Sequence, residues 1–433
     1  MPVSRKRKKK SQSGRRSQRQ PAGPPQIRAS QADALSELFA YRSQLGEHRA
    51  VLAGTEARAM IEALVAAAPG WSDDDLEDHV CLRYGAAMAQ YDAGAVEDVV
   101  NPDDLVRALL TAIDQRLHQS AEAGTDVAVL RRLLTVLAGV LPSPLSESTR
   151  ALVAKHLGTH AARQAGRGRA VTGPVLWAHD VYGTRWAVVA PFSSVAGPDR
   201  WYLWDVDTCG YEIVTMHSGF HPTVESAVTA WRESVGHAAA GAAALTVVDN
   251  AETLGALLLR GDVEGLRVGG EDQEQYAEFL RSRRLGRTVR DAVGKTRGQP
   301  SVRLTADEAR EGFAQRLRQL GHHDGSDEGP AGADDLAAEL ADSWSPGDHP
   351  TLYPFCSPHK VAVAVLHLRD FYKDEFAAEL VAVLPEWIRF LAEHTAMAAE
   401  LTERCLAYAS GELQFPGILD DHGRPNPMAR VTE

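Results

Sequence analysis

Apolar residues along this chain keep one period, lose it, and take it up again. From Ser30 to about Leu157 they recur every three or four positions: Leu76, Val80, Tyr84 and Met88 are spaced by four, and so are Leu105, Leu109, Ile113 and Leu117. That spacing places them on one stripe of an amphipathic helix. Between residues 175 and 216 the period falls to two. The runs there, Val175–Ala178, Trp186–Phe192, Trp201–Val206 and Tyr211–Met216, are short and rich in β-branched and aromatic side chains. Tyr182-Gly183, Gly197-Pro198-Asp199 and Cys209-Gly210 separate them as turns. Helical spacing returns over residues 334–413. A chain patterned in this way is expected to be α+β: a helical N-terminal domain, a central small antiparallel sheet with packed helices, and a helical C-terminal domain.

At 433 residues the chain is too long for one ordinary core, so two or three domains are expected. The composition predicts a disordered basic tail over residues 1–29 and a helical domain over 30–160. An α+β domain with a four-stranded antiparallel meander follows over 170–320, then a helical domain over 333–415 and a flexible tail over 416–433. Helix starts are written into the sequence. Ser72-Asp73-Asp74-Asp75 offers a cap and acids for the first turn, and Asn101-Pro102-Asp103-Asp104 adds Pro at the first helical position. Thr305-Ala306-Asp307-Glu308 has the form of a capping box. Val224, Val228, Trp231 and Val235 line one face of a helix that would lie on the sheet.

Charge is segregated. Residues 1–28 hold ten basic residues and no acid, among them Arg5, Lys6, Arg7, Lys8, Lys9, Lys10, Arg15 and Arg16. The rest of the chain has 36 basic residues against 58 acidic ones, a formal charge of −22. A body that negative repels polyanions except at local patches, whereas clustered Lys and Arg gain free energy by releasing counterions from phosphates. A second basic stretch runs from Arg281 to Arg303, and within it Arg283, Arg287 and Arg290 share one helical face. This row either adds to a phosphate surface or neutralises the acidic helical domain of the same chain.

Other chemistry-bearing residues have local explanations. Cys356 and His359 have a spacing compatible with zinc, and His322-His323-Asp324 lies upstream, but no second pair of comparable spacing completes a site. Asp73-Asp74-Asp75 and Asp103-Asp104 sit where helix dipoles call for acids. Trp201, Tyr202, Leu203 and Trp204 alternate faces, so one sheet face covers the helix at Val224–Val235. The other is either a base-stacking platform or, more in keeping with its few basic neighbours, covered by another domain. No phosphate-cradling glycine loop, nucleophile elbow or paired-histidine zinc motif occurs in the sequence. No metal or cofactor is expected. Cys81, Cys209, Cys356 and Cys405 share no framework spacing, which points to a reducing compartment, and the N-terminus lacks the apolar stretch of a signal peptide. The longest apolar runs are about half of a bilayer span of ~20 residues. The expected location is the cytoplasm.

The C-terminal block Ser357-Pro358-His359-Lys360-Val361, followed by Leu384-Pro385-Glu386-Trp387-Ile388-Arg389-Phe390, resembles the helical C-terminus of a group of actinobacterial proteins. These show a Pro-x-Lys-Val element, then Leu-Pro, then Trp and Phe three residues apart. The Trp186–Trp231 stretch is similar in style to their β-meander. The resemblance implies a helical C-terminal block and a high-GC bacterial source, and it implies no chemistry.

The expected function is therefore that of a binding or adaptor protein rather than an enzyme. It would engage nucleic acid, ribosomal RNA included, or another polyanion through the basic arm, with Arg283, Arg287 and Arg290 as a second contact. The competing expectation is a protein–protein interaction module in which the arm is incidental. An enzyme without a recognisable motif is the third.

Overall fold

The computed structural model describes residues 29–93, 99–119, 125–141, 143–165, 169–193, 199–210, 213–239, 241–242, 244–259, 273–294, 298, 302–322, 331–344 and 349–413. The basic arm at 1–28, His323, Asp324 and the C-terminal tail from residue 414 lie outside these. In chain order the helices α1 (Ala29–Ala67), α2 (Asp73–Ala93), α3 (Pro102–Gln119), α4 (Thr125–Val140), α5 (Leu145–Leu157) and α6 (Thr159–Gln164) come first. Strands β1 (Leu176–His179), β2 (Arg185–Phe192), β3 (Arg200–Asp207) and β4 (Val214–His221) follow, then α7 (Val224–Val235), β5 (Thr246–Val247) and α8 (Ala251–Leu259). The remainder is helical: α9 (Gln273–Val293), α10 (Ala306–Gln319), α11 (Ala333–Ser343), α12 (Pro358–Phe371), α13 (Asp374–Thr395) and α14 (Ala399–Ser410). The fold is α+β, with a single five-stranded antiparallel sheet and helices at both ends. Among the described residues, no helix is long and apolar enough to cross a membrane.

The described chain forms two compact units. The first comprises residues up to 168 together with 272–284, and the second comprises 169–271 and residues from Leu285 onward. In the first unit, the fully buried Ile61, Leu64, Leu76, Ile113, Leu130, Leu133 and Leu134 form one core, joined by Tyr276 and Leu280 of α9. The helix starts behave as their sequences require. Asp75 and Ser72 cap α2 reciprocally, with Ser72 N–H donating to Asp75 Oδ2 at 2.8 Å and Asp75 N–H to Ser72 Oγ at 3.1 Å. At α3 the Asp103 N–H donates to Asn101 Oδ1 at 2.9 Å. The backbones of α2 and α9 meet at Gly85, where an added Cβ would lie 2.3 Å from Ala277 N.

The sheet of the second unit has the order β4-β3-β2-β1-β5. Three strands lie where the alternating runs predict them, but the fourth does not. β4 continues to His221, past the expected end at Met216, because His217, Ser218 and Gly219 pair with Asp205, Trp204 and Leu203 of β3. Residues of low strand propensity are held here by the ladder of a neighbour, the tertiary override that makes such propensity a weak guide. A break in register between Asp205 and Val206 marks an irregularity in the pairing.

Both sheet faces are covered. Ala187, Val189 and Leu203, with partly buried Trp201, pack on Ala227, Trp231 and Val235 of α7. On the other side Trp186, Tyr202, Trp204 and Phe192 pack with Leu254 and Leu257 of α8 and Leu285 and Val289 of α9. Tyr202 and Trp204 are fully buried, so neither rings of this face nor those under α7 form an open stacking platform. The helices α10–α14 enclose a further core around Phe313, Trp344, Trp387 and Ile388, which reaches Tyr182 in the turn between β1 and β2.

Candidate functional site

The row of arginines on α9 does not act as a unit. Arg283 is half-buried and lies over the Phe279 ring of its own helix at 5.3 Å. Arg287 is half-buried, and Arg290 is exposed and pairs with the adjacent Asp291 at 3.3 Å. The arginine that α9 buries is Arg281, one residue from the selected face. Its Nε donates to Glu77 Oε1 at 3.0 Å, and its two terminal nitrogens donate to Asp78 and Glu278. Burial works against the charge, but the surrounding carboxylates outweigh it and hold the Arg281 pKa well above the ordinary arginine value. The signal for this was in the sequence: Ala277, Arg281, Leu285 and Val289 form one i, i+4 row, and an arginine within a buried row needs carboxylates.

The most polar interior of the protein lies in the second unit, where β2 and β3 end. Arg185 and Asp207 are cross-strand partners, as are Ala187 and Asp205. Trp201, Leu203, Asp205 and Asp207 alternate onto one face, so two carboxylates follow two apolar residues inward. Arg185 answers them. It grips Asp205 with two bonds (Nε to Oδ1 at 3.1 Å, Nη2 to Oδ2 at 2.6 Å), while its Nη1 stands 3.8 Å from Asp207 Oδ2. Ser234 of α7 completes the cluster by donating to Asp205 Oδ2 at 2.7 Å. Burial opposes this charge too, and again the carboxylates, Asp205 foremost, raise the Arg185 pKa above the ordinary value.

Next to this pair a cleft encloses about 410 Å³ of space and opens to solvent on one side. Four stretches distant in sequence form it: the β1–β2 turn with Asp180 and Thr184, the end of β3 with Asp207 and Cys209, the segment after α7 with Ala238, and the start of α12 with Ser357 and His359. The room left for the centres of water molecules is about 40 Å³, against ~10–15 Å³ for a single water. Only a small ligand fits.

Local geometry explains each wall. Asp180 builds the turn: its Oδ1 accepts the Thr184 N–H at 2.7 Å and the Arg185 N–H at 3.1 Å. The turn passes through Gly183 at φ +72°, and Phe355 packs on it so closely that a Cβ would lie 2.2 Å from the ring. Ser357 caps α12, with its Oγ accepting the Lys360 N–H at 3.2 Å, and Cys209 Sγ lies 3.2 Å from the same hydroxyl. Lys360 sits fully enclosed behind this wall. Its Nζ donates to Phe355 O at 3.1 Å and lies 4.9 Å from the Trp344 ring centre.

Burial dominates the titration of these groups. It pushes the Asp180 carboxyl up to about 6 against the two amides that favour its charge, and it pushes the Lys360 amine down to about 8. Burial, reinforced by Asp207, holds the Cys209 thiol well above the ordinary thiol range, so this sulfur is not a ready nucleophile.

Comparison with known proteins adds no precedent for the cleft. The chain matches no family model, no curated protein and no solved structure. Among the described residues no group of three or more His, Cys, Asp or Glu side chains could hold a metal ion. Cys356 is fully buried and His359 occupies the first turn of α12.

Sequence reasoning passed over Asp180, Arg185, Asp207 and Cys209. The available signal was a pair of acids at 205 and 207 on the inward face of an otherwise apolar strand.

Asp180 makes the stability of the protein depend on pH in a defined direction. Its pKa is about 6 when folded, against 3.8 as the ordinary value. Between these values the folded state holds a proton that the unfolded state has released, so stability falls as pH rises through this window. Asp180→Asn keeps an oxygen for the Thr184 and Arg185 amides and removes the charge. Relative to the wild type, this variant is expected to gain on the order of 2–3 kcal/mol between pH 4 and pH 7. Urea denaturation of both proteins at the two pH values measures the change, and a difference independent of pH contradicts it.

Proposed function

We propose that the chain is a cytoplasmic binding or adaptor protein that engages nucleic acid through its N-terminal arm, and that it is not an enzyme. The observation that carries the reading is the charge segregation: ten basic residues without an acid in residues 1–28, ahead of a body of formal charge −22. Arm residues Arg5, Lys6, Arg7, Lys8, Lys9, Lys10, Arg15 and Arg16 supply the phosphate contacts. The geometry of α9 supports a division of labour. Arg281 is committed to Glu77, Asp78 and Glu278, so the arm bears most of the binding. Of the row Arg283, Arg287 and Arg290, the exposed Arg290 is the best placed to add to it.

Fluorescence anisotropy with labelled RNA and DNA oligonucleotides tests the reading. The full chain is expected to bind at low salt and to lose on the order of 10³-fold in affinity between roughly 50 and 200 mM salt, as for six or more phosphate contacts. Deleting residues 1–28 is expected to abolish binding. An intact chain that binds no nucleic acid at low salt, or a deletion that binds equally well, sinks the proposal. Recovery of a protein partner in place of nucleic acid from the native host favours the interaction-module reading.

A further inference from the structure

Opposite charges face each other across the cleft of the second unit. On the sheet side, the carboxylates of Asp180, Asp205 and Asp207 outnumber the one guanidinium of Arg185, whose two strongest bonds go to Asp205. Asp180 has no ion-pair partner in its bonds, which come from the Thr184 and Arg185 amides and more weakly from the Thr184 hydroxyl at 3.4 Å. On the helix side stand the first turn of α12, with Ser357 and His359 lining the cleft, and the Lys360 ammonium behind it. The amide ends of a helix carry partial positive charge, and Lys360 adds to it. Buried carboxylates without a cation and a positive wall without an anion are each costly to hold in a protein interior.

A ligand of one sign relieves one wall and opposes the other. A small cation at the sheet side is repelled by α12 and Lys360, and a small anion at α12 meets Asp180 and Asp207. A molecule carrying both charges a few ångströms apart satisfies both walls. The narrow space limits it to a handful of heavy atoms. We propose that this cleft binds a small zwitterion, an α-amino acid of about the size of glycine or alanine. Its ammonium lies against Asp180 and Asp207, and its carboxylate lies at the start of α12 beside Ser357 and His359. The site is separate from the arm and does not depend on nucleic-acid binding.

Nuclear magnetic resonance titration of the full chain, read at the backbone amides of Cys209 and Lys360, tests the proposal. Glycine and L-alanine are expected to give saturable shifts at both amides. Methylammonium and acetate, each supplying one of the two charges, are expected not to saturate over the same concentrations. Asp180→Asn is expected to weaken amino-acid binding by about tenfold or more, the equivalent of ~1.4 kcal/mol. Ala238→Leu, which fills part of the cleft without touching its charges, is expected to do the same and serves if the Asn variant fails to fold. The proposal is overturned if neither amino acid gives a saturable shift, or if acetate or methylammonium alone binds as well. Undiminished binding by a folded Asp180→Asn or Ala238→Leu protein also overturns it.

Discussion

Arg281→Ala is expected to destabilise the helical unit by about 3–5 kcal/mol at neutral pH. The side chain is buried, 4% exposed, and it touches three carboxylates: Glu77, Asp78 and Glu278. Removing it leaves Glu77, itself only 9% exposed, with the more distant Arg284 at 3.7 Å as its remaining cation. Three acids that shared a guanidinium then repel one another in a region of low dielectric. Asp78 is 38% exposed and turns to water, so Glu77 carries most of the loss. A second measurement separates this cause from lost packing. Glu77 and Glu278, deprived of their cation, should take up protons at higher pH in the folded variant than in the wild type. Their charge is then relieved on acidification, so the gap between variant and wild type should narrow as pH falls from 7 towards 4. Salt should change it little, because screening acts weakly on buried pairs. Urea denaturation at pH 7 and pH 4.5 reads both effects, and a gap of the same size at both pH values would mean that packing, not charge, sets the loss.

Gly85→Ala should be the next most damaging change. Two effects compete there, and their sizes decide the sign. Alanine in a helix interior is favoured over glycine by ~1 kcal/mol. Against that, the new Cβ would lie 2.3 Å from Ala277 N and 2.4 Å from Ala277 Cα. These are backbone atoms of α9 and cannot turn aside as a side-chain tip can. Relieving the overlap means moving α9 off α2, which also lengthens the bonds of Arg281 to Glu77 and Asp78. Overpacking of this sort typically costs about 1–3 kcal/mol, occasionally more, and the lost ion pairs add to it, so a net loss of about 2–4 kcal/mol is expected. Gly54 in α1 supplies the control, since a Cβ there meets nothing within 4 Å. Gly54→Ala should be neutral or stabilise by up to ~1 kcal/mol. Thermal denaturation of the two variants beside the wild type makes the comparison, and equal behaviour of both would contradict the close approach at Gly85.

Periodicity made the elements legible. The four-residue spacing of Leu105, Leu109, Ile113 and Leu117 is the buried stripe of α3, and the alternation through Trp201–Val206 is β3 with its two covered faces. Caps could be read for a related reason: Ser72, Asn101 and Thr305 bond to amides two or three residues away, and such bonds need no distant partner. The fourth strand was less legible. His217-Ser218-Gly219 has little strand character of its own, and pairing with β3 decides its conformation.

The cleft was hidden for a stronger form of the same reason. Asp180 and Ser357 are far apart in the chain, and no spacing rule links a turn after β1 to the cap of α12. The chain alone determined the alternation of periods, the local caps, the segregation of ten basic residues into the first 28 and the net negative charge of everything after them. Each of these depends on neighbours in sequence or on simple totals. Only the tertiary structure decided that Arg281 and not Arg283 meets Glu77, that Arg185 is shared between Asp205 and Asp207, and that Asp180, Cys209, Ser357 and His359 line one small cleft. Burial sets the energetics of those groups by removing the water that would screen them, and burial belongs to the folded arrangement rather than to any stretch of residues.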